Sequence, residues 1–309
     1  MNRPWRKIQY PFIKALSAFK TFNPVENLLI FSEPRGGSTW LSQMINTIPK
    51  TTLIWEPINP KVYQKLRNIK FGWRQFIPED ESWDEAHIFF LKILSGKKLT
   101  YHTTSHLNIS SYVDAERLIV KFCRGNALLP WITKRFNFKY KPIYLVRHPF
   151  AVVSSQLKHG AWKEKKSNFE IPDTPFSQIY QDHRSFLKAI GSVEGNLIAT
   201  WCLANKYTLE NPRNNQDWIT VFYEDLVGNP RNEIDRIFKA WNIEVPHEIF
   251  KKIKEPSATV KNDNFSRDIE QQLSKWKEEI SKKEHDKMSE VLNYFNIQYY
   301  NNESIFPLK

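Results

Sequence analysis

Apolar positions along the chain fall into short unbroken runs separated by longer stretches of helical spacing. Leu28–Phe31 is one such run, and its counterparts lie at 51–57 (TTLIWEP), 117–123 (RLIVKFC), 143–149 (IYLVRHP) and 218–226 (WITVFYEDL). Each is rich in β-branched and aromatic residues and lacks the polar alternation of a half-solvated strand, so strands covered on both faces are expected. Between the runs the period changes. Trp40, Leu41, Met44, Ile45 and Ile48 share one helical face, and Trp83, His87, Phe90 and Leu91 share another. Pro149 suits the first turn of a helix running to about Lys158. Further helical patterns span about 177–210 and 263–295, and GNP at 228–230 opens another. Strands alternating with helices predict the α/β class, with a central, mainly parallel sheet flanked by helices.

Charge changes this picture more than composition does. The 309 residues are 41% hydrophobic and 25% charged, which excludes a disordered chain. Lys and Arg number 45 against 33 Asp and Glu, a formal net charge of +12. A nucleic acid, an anionic membrane surface or a small polyanionic ligand would each account for that excess. No run approaches the roughly 18 apolar residues of a membrane span. Cys123 and Cys202 make no disulfide framework, so two free thiols in a reducing, cytoplasmic compartment are expected. Residues 1–20 (MNRPWRKIQYPFIKALSAFK) hold five basic residues and no acidic one. Neither the apolar run nor the small-residue cleavage site of a signal peptide follows. Pro11 is placed to start a short helix with Phe12, Leu16 and Phe19 on one face and Lys14 and Lys20 opposite. Such a piece either packs on the body as a basic arm or makes a peripheral contact with an anionic membrane.

Three motifs carry chemistry. The first run is followed by Pro34-Arg35-Gly36-Gly37-Ser38-Thr39-Trp40 and then a helix. A tight glycine turn delivers backbone N–H groups at a helix N-terminus, which makes an anion site, and Ser38, Thr39 and Arg35 add hydroxyls and a fixed charge. The G-x-x-x-x-G-K-[ST] loop of nucleotide triphosphatases is absent. In YLVRHPFAVVSS (144–155), Arg147 ends a strand and Ser155 lies two turns into the next helix, so both can reach one phosphate at the C-terminal edge of a sheet. In VFYEDLVGNP (221–230), Tyr223 is expected to end a strand at the same edge, with Glu224 and Asp225 in structural roles. Each motif alone is equally read as a tight turn, an ion pair or a cap.

In this order the three motifs resemble the sulfotransferases that use 3′-phosphoadenosine-5′-phosphosulfate (PAPS) as donor, and the similarity spans about 26–300. The resemblance implies a P-loop-NTPase-like three-layer fold and a transferase that requires no metal. It implies that Arg35, Gly36, Gly37, Ser38, Thr39 and Trp40 surround the 5′-phosphosulfate, with Trp40 against the adenine. Arg147 and Ser155 would take the 3′-phosphate, and Tyr223 would lie near the adenine. The segment PSATVKND before Trp276-Lys277 resembles the loop that closes over the nucleotide, with Ser257, Lys261 and Arg267 as weaker candidates. Arg rather than Lys at position 35 sides with the carbohydrate and tyrosyl-protein enzymes. The chain then reads as a basic arm over 1–25 and one domain over 26–309, in which 58–116 is an acceptor-binding or lid insertion.

The acceptor hydroxyl must lose a proton, and Glu56 is the expected general base. It ends the second run in L-I-W-E-P and follows Arg35 by 21 residues, both similar to the carbohydrate group. An aromatic neighbour at a strand end is expected to raise its pKa. Phenol-type relatives carry a K-x-H pattern where this chain has Lys121 and then Cys123, which supports Glu56 and leaves Lys121 to steady the transferring charge or to form a buried salt bridge. His102 and His106 sit four apart, a metal-binding spacing on a helix, but YHTTSHLN is poor in helix formers and offers no third ligand. No metal is expected there, and either His is an alternative base. His148 and His159 read as structural. Lys163-Glu164-Lys165-Lys166 is a solvated loop or a contact for an anionic acceptor, while Trp73, Phe76 and Trp83 stack on sugars, cover lipid chains or form local core. The expected acceptor is a carbohydrate or glycolipid hydroxyl, with a small phenol, alcohol or lipid second. Part of the +12 is thereby assigned to the donor rather than to nucleic acid. The rival outside the enzyme class is a non-catalytic nucleic-acid or polyanion binder, which predicts a steep salt slope.

Overall fold

The structure, a computed structural model, describes residues 5–159, 167–255 and 268–308. All five apolar runs form strands: β1 (Leu28–Ser32), β2 (Thr51–Trp55), β3 (Arg117–Cys123), β4 (Ile143–Val146) and β5 (Ile219–Phe222). They make one parallel sheet in the order β2-β3-β1-β4-β5, flanked by helices, which is the three-layer α/β architecture expected. The run over 218–226 stops early as a strand, because Tyr223 opens the helix Tyr223–Gly228 instead of ending β5.

The two faces of the sheet build two cores, and the strand period of two decides which residue joins which. Leu29 and Phe31 of β1 face one core with Leu118, Val120 and Phe122 of β3. Leu28 and Ile30 face the other with Ile119, against Leu41, Met44 and Ile45 of the helix Ser38–Ile45. Trp55, Ile143, Leu145, Ile219, Val221 and Tyr223 belong to this second side. Lys121 and Cys123 continue the register of Ile119, and Arg147 continues that of Ile143 and Leu145. The residues with chemistry therefore emerge on the face that the helix after the glycine turn covers.

Helix limits follow from local chemistry. Pro149 occupies the first turn of Pro149–Lys158, capped by His148, whose Nδ1 accepts from the Phe150 N–H at 3.2 Å. The stretch expected to be helical over 177–210 is three helices, Gln178–Gln181, Arg184–Ala189 and Val193–Leu209. Gly191 at φ 64° and Ser192, whose hydroxyl accepts from the Gly195 N–H at 3.1 Å, break and restart it. At the N-terminus the helix begins at Trp5, before Pro11, and runs to Phe19 with Pro11 inside it. Its inward residues are Ile13 and Ser17, with Leu16 packed against the core, whereas Phe12 and Phe19 are exposed, so only one member of the expected apolar face packs on the body. Phe76 and Trp83 of the 58–116 stretch lie against Tyr207 and Phe71, in local core, and Leu91 on the following helix is exposed.

Candidate active site

The glycine turn after β1 is dictated by space. A Cβ on Gly36 would lie 2.4 Å from Ser32 Oγ and 2.9 Å from the Glu33 carbonyl oxygen. Gly37 has φ 93°, and a Cβ there would meet the Tyr223 ring at 2.5 Å. Only glycine lets the chain close so tightly onto the helix Ser38–Ile45, whose first N–H groups then face outward from the sheet edge. Gly37→Ala is expected to lower stability by about 1–3 kcal/mol, from left-handed strain plus the ring clash, and to weaken nucleotide binding with it. Thermal unfolding with and without adenosine 3′,5′-bisphosphate checks this. An alanine variant as stable and as tight as the parent contradicts the close approach.

On one side of the turn the cations gather. Arg35, itself at φ 73°, donates from Nε to Ser155 Oγ at 2.9 Å. Arg147 donates to the Arg35 carbonyl oxygen at 3.1 Å, and its guanidinium lies over the Tyr223 ring at 4.5 Å. Its buried Nε has no hydrogen-bond partner among the described residues. Burial, and then the charge of Arg147, pulls the Arg35 pKa down, so these two guanidinium groups repel each other at the edge of the sheet. An anion between them relieves that repulsion. Gln156 fixes the loop from below by donating to the Pro34 carbonyl oxygen at 3.0 Å. Trp40 stands edge-on to Tyr223, with ring centroids 6.2 Å apart.

Behind Arg147 lies a buried prop. Glu224 accepts from the His148 N–H at 2.8 Å and from the Tyr300 hydroxyl at 2.9 Å. Burial raises its carboxyl to about 7. Burial also depresses His148 to about 3, so its ring is neutral. Nδ1 already accepts from Phe150, which leaves Nε2 to donate to the Asn301 carbonyl oxygen at 3.1 Å. The ring stacks on Trp276 at 4.7 Å. His148 is thus structural, and Glu224 ties the Y-E-D-L turn to the Arg147 turn.

On the other side of the turn, Glu56 follows β2 at φ 42° and donates its N–H to the Lys121 carbonyl oxygen at 2.9 Å. The Lys121 side chain is 1% exposed. Its Nζ lies 2.9 Å from Glu56 Oε1, 3.4 Å from Thr39 Oγ1 and 3.3 Å from the centroid of the Trp55 ring. Burial pushes the Glu56 carboxyl up, but Lys121, helped by Cys123 and Arg124, outweighs it and leaves the pKa below the ordinary value. This reverses the elevation expected from the sequence, because the strand-end aromatic comes with a buried ammonium on the neighbouring strand. Cys123 is buried, pushed up to about 12 mainly by that burial, and sits 3.8 Å from Ser38 Oγ. It is a packed thiol, not a nucleophile.

The two histidines of 100–107 separate in role. His106 stacks on Trp55 at 3.8 Å. His102, half-buried, has its pKa lowered chiefly by burial, with Glu56 opposing. The segment carrying them runs alongside β2, where Trp55 N–H donates to the Thr103 carbonyl oxygen at 2.9 Å. Among the described residues no group of three or more His, Cys, Asp or Glu is placed to hold a metal. Two neighbours escape the sequence reading. Arg124, at φ 63° after β3, lies over Trp73 at 4.8 Å and acts on Glu56. Buried Glu33 pairs with Arg74 at 2.6 Å. Both follow directly from strand ends at the C-terminal edge, which is the signal that could have found them. Ser257, Lys261, Arg267 and the run Lys163–Lys166 lie outside the described residues.

A family model described as "Sulfotransferase domain" matches residues 26–297. Comparison with curated proteins gave no significant match. Among solved structures the chain is similar to the sulfotransferase domain from the Synechococcus PCC 7002 olefin synthase, at 19% identity and a TM-score of 0.46, with 90% of this chain and 96% of that one covered. It is also similar to a mouse sulfotransferase complexed with PAP, at 14% identity and a TM-score of 0.43, covering 94% and 90%. A sulfotransferase domain from the curacin biosynthetic pathway gives 18% identity and a TM-score of 0.44, covering 87% and 96%.

Proposed function

The chain belongs to the sulfotransferase family, and on that premise we propose that it moves a sulfuryl group from PAPS to a hydroxyl of a carbohydrate or glycolipid, with Glu56 as general base. The observation that carries this reading is the pairing of two unlike clusters across one glycine turn. The Arg35–Ser155–Arg147 group lies on one side and the Lys121–Glu56 pair on the other. The first suits the phosphates of a nucleotide and the second suits proton removal beside a cation.

PAPS fits the residues present. Gly36 and Gly37 leave the space a Cβ would fill, and the buried Arg147 Nε lacks a partner among the described residues. Arg147 and Ser155 would hold the 3′-phosphate, and Arg35 with the N–H groups of 36–40 the 5′-phosphosulfate. Trp40 and Tyr223 would flank the adenine, and Ser257, Lys261 and Arg267 remain proposed contributors. In the transfer the acceptor oxygen bonds to sulfur, the bond from sulfur to the 5′-phosphate oxygen breaks, and adenosine 3′,5′-bisphosphate leaves. The acceptor proton passes to Glu56, while Lys121 and Arg35 balance the shifting negative charge. The carbohydrate branch is supported by Arg at position 35, by W-E-P around Glu56, and by Cys123 where phenol-type relatives carry His.

Isothermal titration with adenosine 3′,5′-bisphosphate tests the donor site. Binding is expected at moderate salt and well ahead of ATP, and Arg147→Ala is expected to weaken it about tenfold to a hundredfold, the loss of charge-assisted hydrogen bonds. Equal binding of ATP and the bisphosphate, or an indifferent Arg147→Ala, sinks the donor assignment. Labelled PAPS offered with glycolipids, soluble glycans and small phenols tests the acceptor class. Transfer to phenols alone overturns the carbohydrate branch.

A further inference from the structure

The N-terminal helix Trp5–Phe19 carries a surface that donor binding does not use. Ile8, Phe12 and Phe19 are 67%, 59% and 91% exposed. At 3.6 residues per turn they fall on one narrow stripe. Buried Ile13 and Ser17 mark a second side, turned to the body, and exposed Lys7 and Lys14 mark a third, the three sides lying roughly 90° to 140° apart. The helix is thus a three-sided rod with one side packed, one apolar and one cationic. Its first acidic neighbour in the chain is Glu26.

The rod is held firmly. Arg6 donates to the Tyr101 carbonyl oxygen at 2.9 Å and stacks over the Tyr101 ring at 4.6 Å. Tyr10 meets the same ring edge-on at 5.8 Å. Lys97 donates to the carbonyl oxygens of Ser17 and Ala18 at 2.9 and 3.0 Å. A helix anchored this way cannot turn its aromatic stripe inward, so the stripe stays in contact with solvent or with a partner. An apolar stripe beside lysines on a chain of net charge +12 matches one surface above others, a bilayer with anionic headgroups.

We propose that this helix docks the protein on an anionic lipid bilayer, with Ile8, Phe12 and Phe19 in the acyl boundary and Lys7 and Lys14 at the headgroups. The docking has a consequence for the site. Tyr101, which Arg6 grips, adjoins His102, and His102 is acted on by both Glu56 and Arg6. The helix is therefore tied to the 100–107 segment, which also hydrogen-bonds to the end of β2 beside Glu56. Resting on the functional reading above, this favours the lipid-borne branch of the acceptor class.

The test is flotation of the full chain with vesicles of phosphatidylcholine alone and of phosphatidylcholine with phosphatidylglycerol, at low and high salt. The protein is expected to float with the anionic vesicles and to be released by salt. Phe12→Glu with Phe19→Glu is expected to weaken vesicle binding at least about tenfold, and Lys7→Glu with Lys14→Glu about fivefold per lysine on anionic vesicles only. Both variants change exposed side chains, and titration with adenosine 3′,5′-bisphosphate is expected to stay within twofold of the parent. Failure to float with anionic vesicles overturns the docking, as does flotation unchanged in the aromatic variant. A dimer that dissolves in Phe12→Glu does so too, since a second copy then covers the stripe. None of these outcomes touches the donor assignment, which the bisphosphate titration judges separately.

Discussion

Glu56→Gln is expected to slow sulfuryl transfer about a hundredfold to ten-thousandfold, the range typical of a lost general base, while donor binding holds or tightens. The amide can keep an oxygen facing Lys121 Nζ, so the buried ammonium retains a hydrogen-bond acceptor but loses its counter-charge, and the fold should lose up to about 3–5 kcal/mol of stability. What disappears is basicity and one negative charge beside the transferring group. Binding of the anionic donor therefore moves opposite to catalysis, and a merely structural role for Glu56 would not produce that split. The pH profile sharpens the test. In the free protein Lys121 outweighs burial and holds the Glu56 carboxyl below its ordinary value. A base works ionised, so activity is present above its pKa and lost as pH falls through it. On the proposed donor placement, Lys121 would share its charge with the donor's oxygens and new negative charge would enter the site, which would raise the Glu56 pKa. The acid limb of kcat, which reports the complex, should lie at higher pH than that of kcat/KM for the donor, which reports the free enzyme. Single-turnover rates with labelled PAPS and the two pH profiles measure this. A near-parental rate in Glu56→Gln moves the base elsewhere, with His102 the first neighbour to try.

The same ion pair shows what a linear reading can and cannot reach. The five strands were legible because a strand buried on both faces leaves no choice but apolar, β-branched residues, and Leu28–Phe31 or Ile143–Val146 have no competing period. The glycine turn was legible because Gly36 and Gly37 answer a local steric demand. The pKa of Glu56 was not, since its sign depends on Lys121, which is 65 residues away in sequence and one strand away in space. Glu56 and Arg124 stand at positive φ directly after β2 and β3, Arg35 does so three residues past β1, and nothing in their residue type announces it. That backbone strain is fixed by the sheet edge as a whole. The N-terminal helix misled in a different way. Its apolar residues satisfy helical spacing, and spacing cannot say whether a stripe faces protein or solvent. The packing of Ile13 beneath it, with the Arg6 and Lys97 anchors, turned Phe12 and Phe19 outward.

Lys121→Met provides the complementary case, in which the cation goes and the base stays. Methionine matches the length of the lysine stem and suits a side chain 1% exposed above the Trp55 ring. The partner Glu56 is 24% exposed, so its carboxylate can turn to water once the ammonium is gone. Removing one partner of a buried pair leaves the other uncompensated, so the variant should lose up to about 3–5 kcal/mol of stability, less to the extent that the Glu56 carboxylate reaches water, and rates are compared well below its lowered thermal midpoint. Transfer should nevertheless slow about a hundredfold to a thousandfold, the effect of removing one preorganised donor where transition-state charge develops. Affinity for adenosine 3′,5′-bisphosphate, which lacks the sulfuryl group, should change less than affinity for PAPS. Glu56, freed of the main charge that held its pKa down, keeps its burial against only the smaller pull of Cys123 and Arg124, so the acid limb of the surviving activity should shift to higher pH. The double variant Glu56→Gln/Lys121→Met should be far less than multiplicatively impaired, because in the proposed transfer the two groups act on the same oxygen, proton and sulfuryl charge. A Lys121→Met enzyme within threefold of the parent rate, with an unmoved acid limb, would show that the ion pair holds the strands together and takes no part in the transfer.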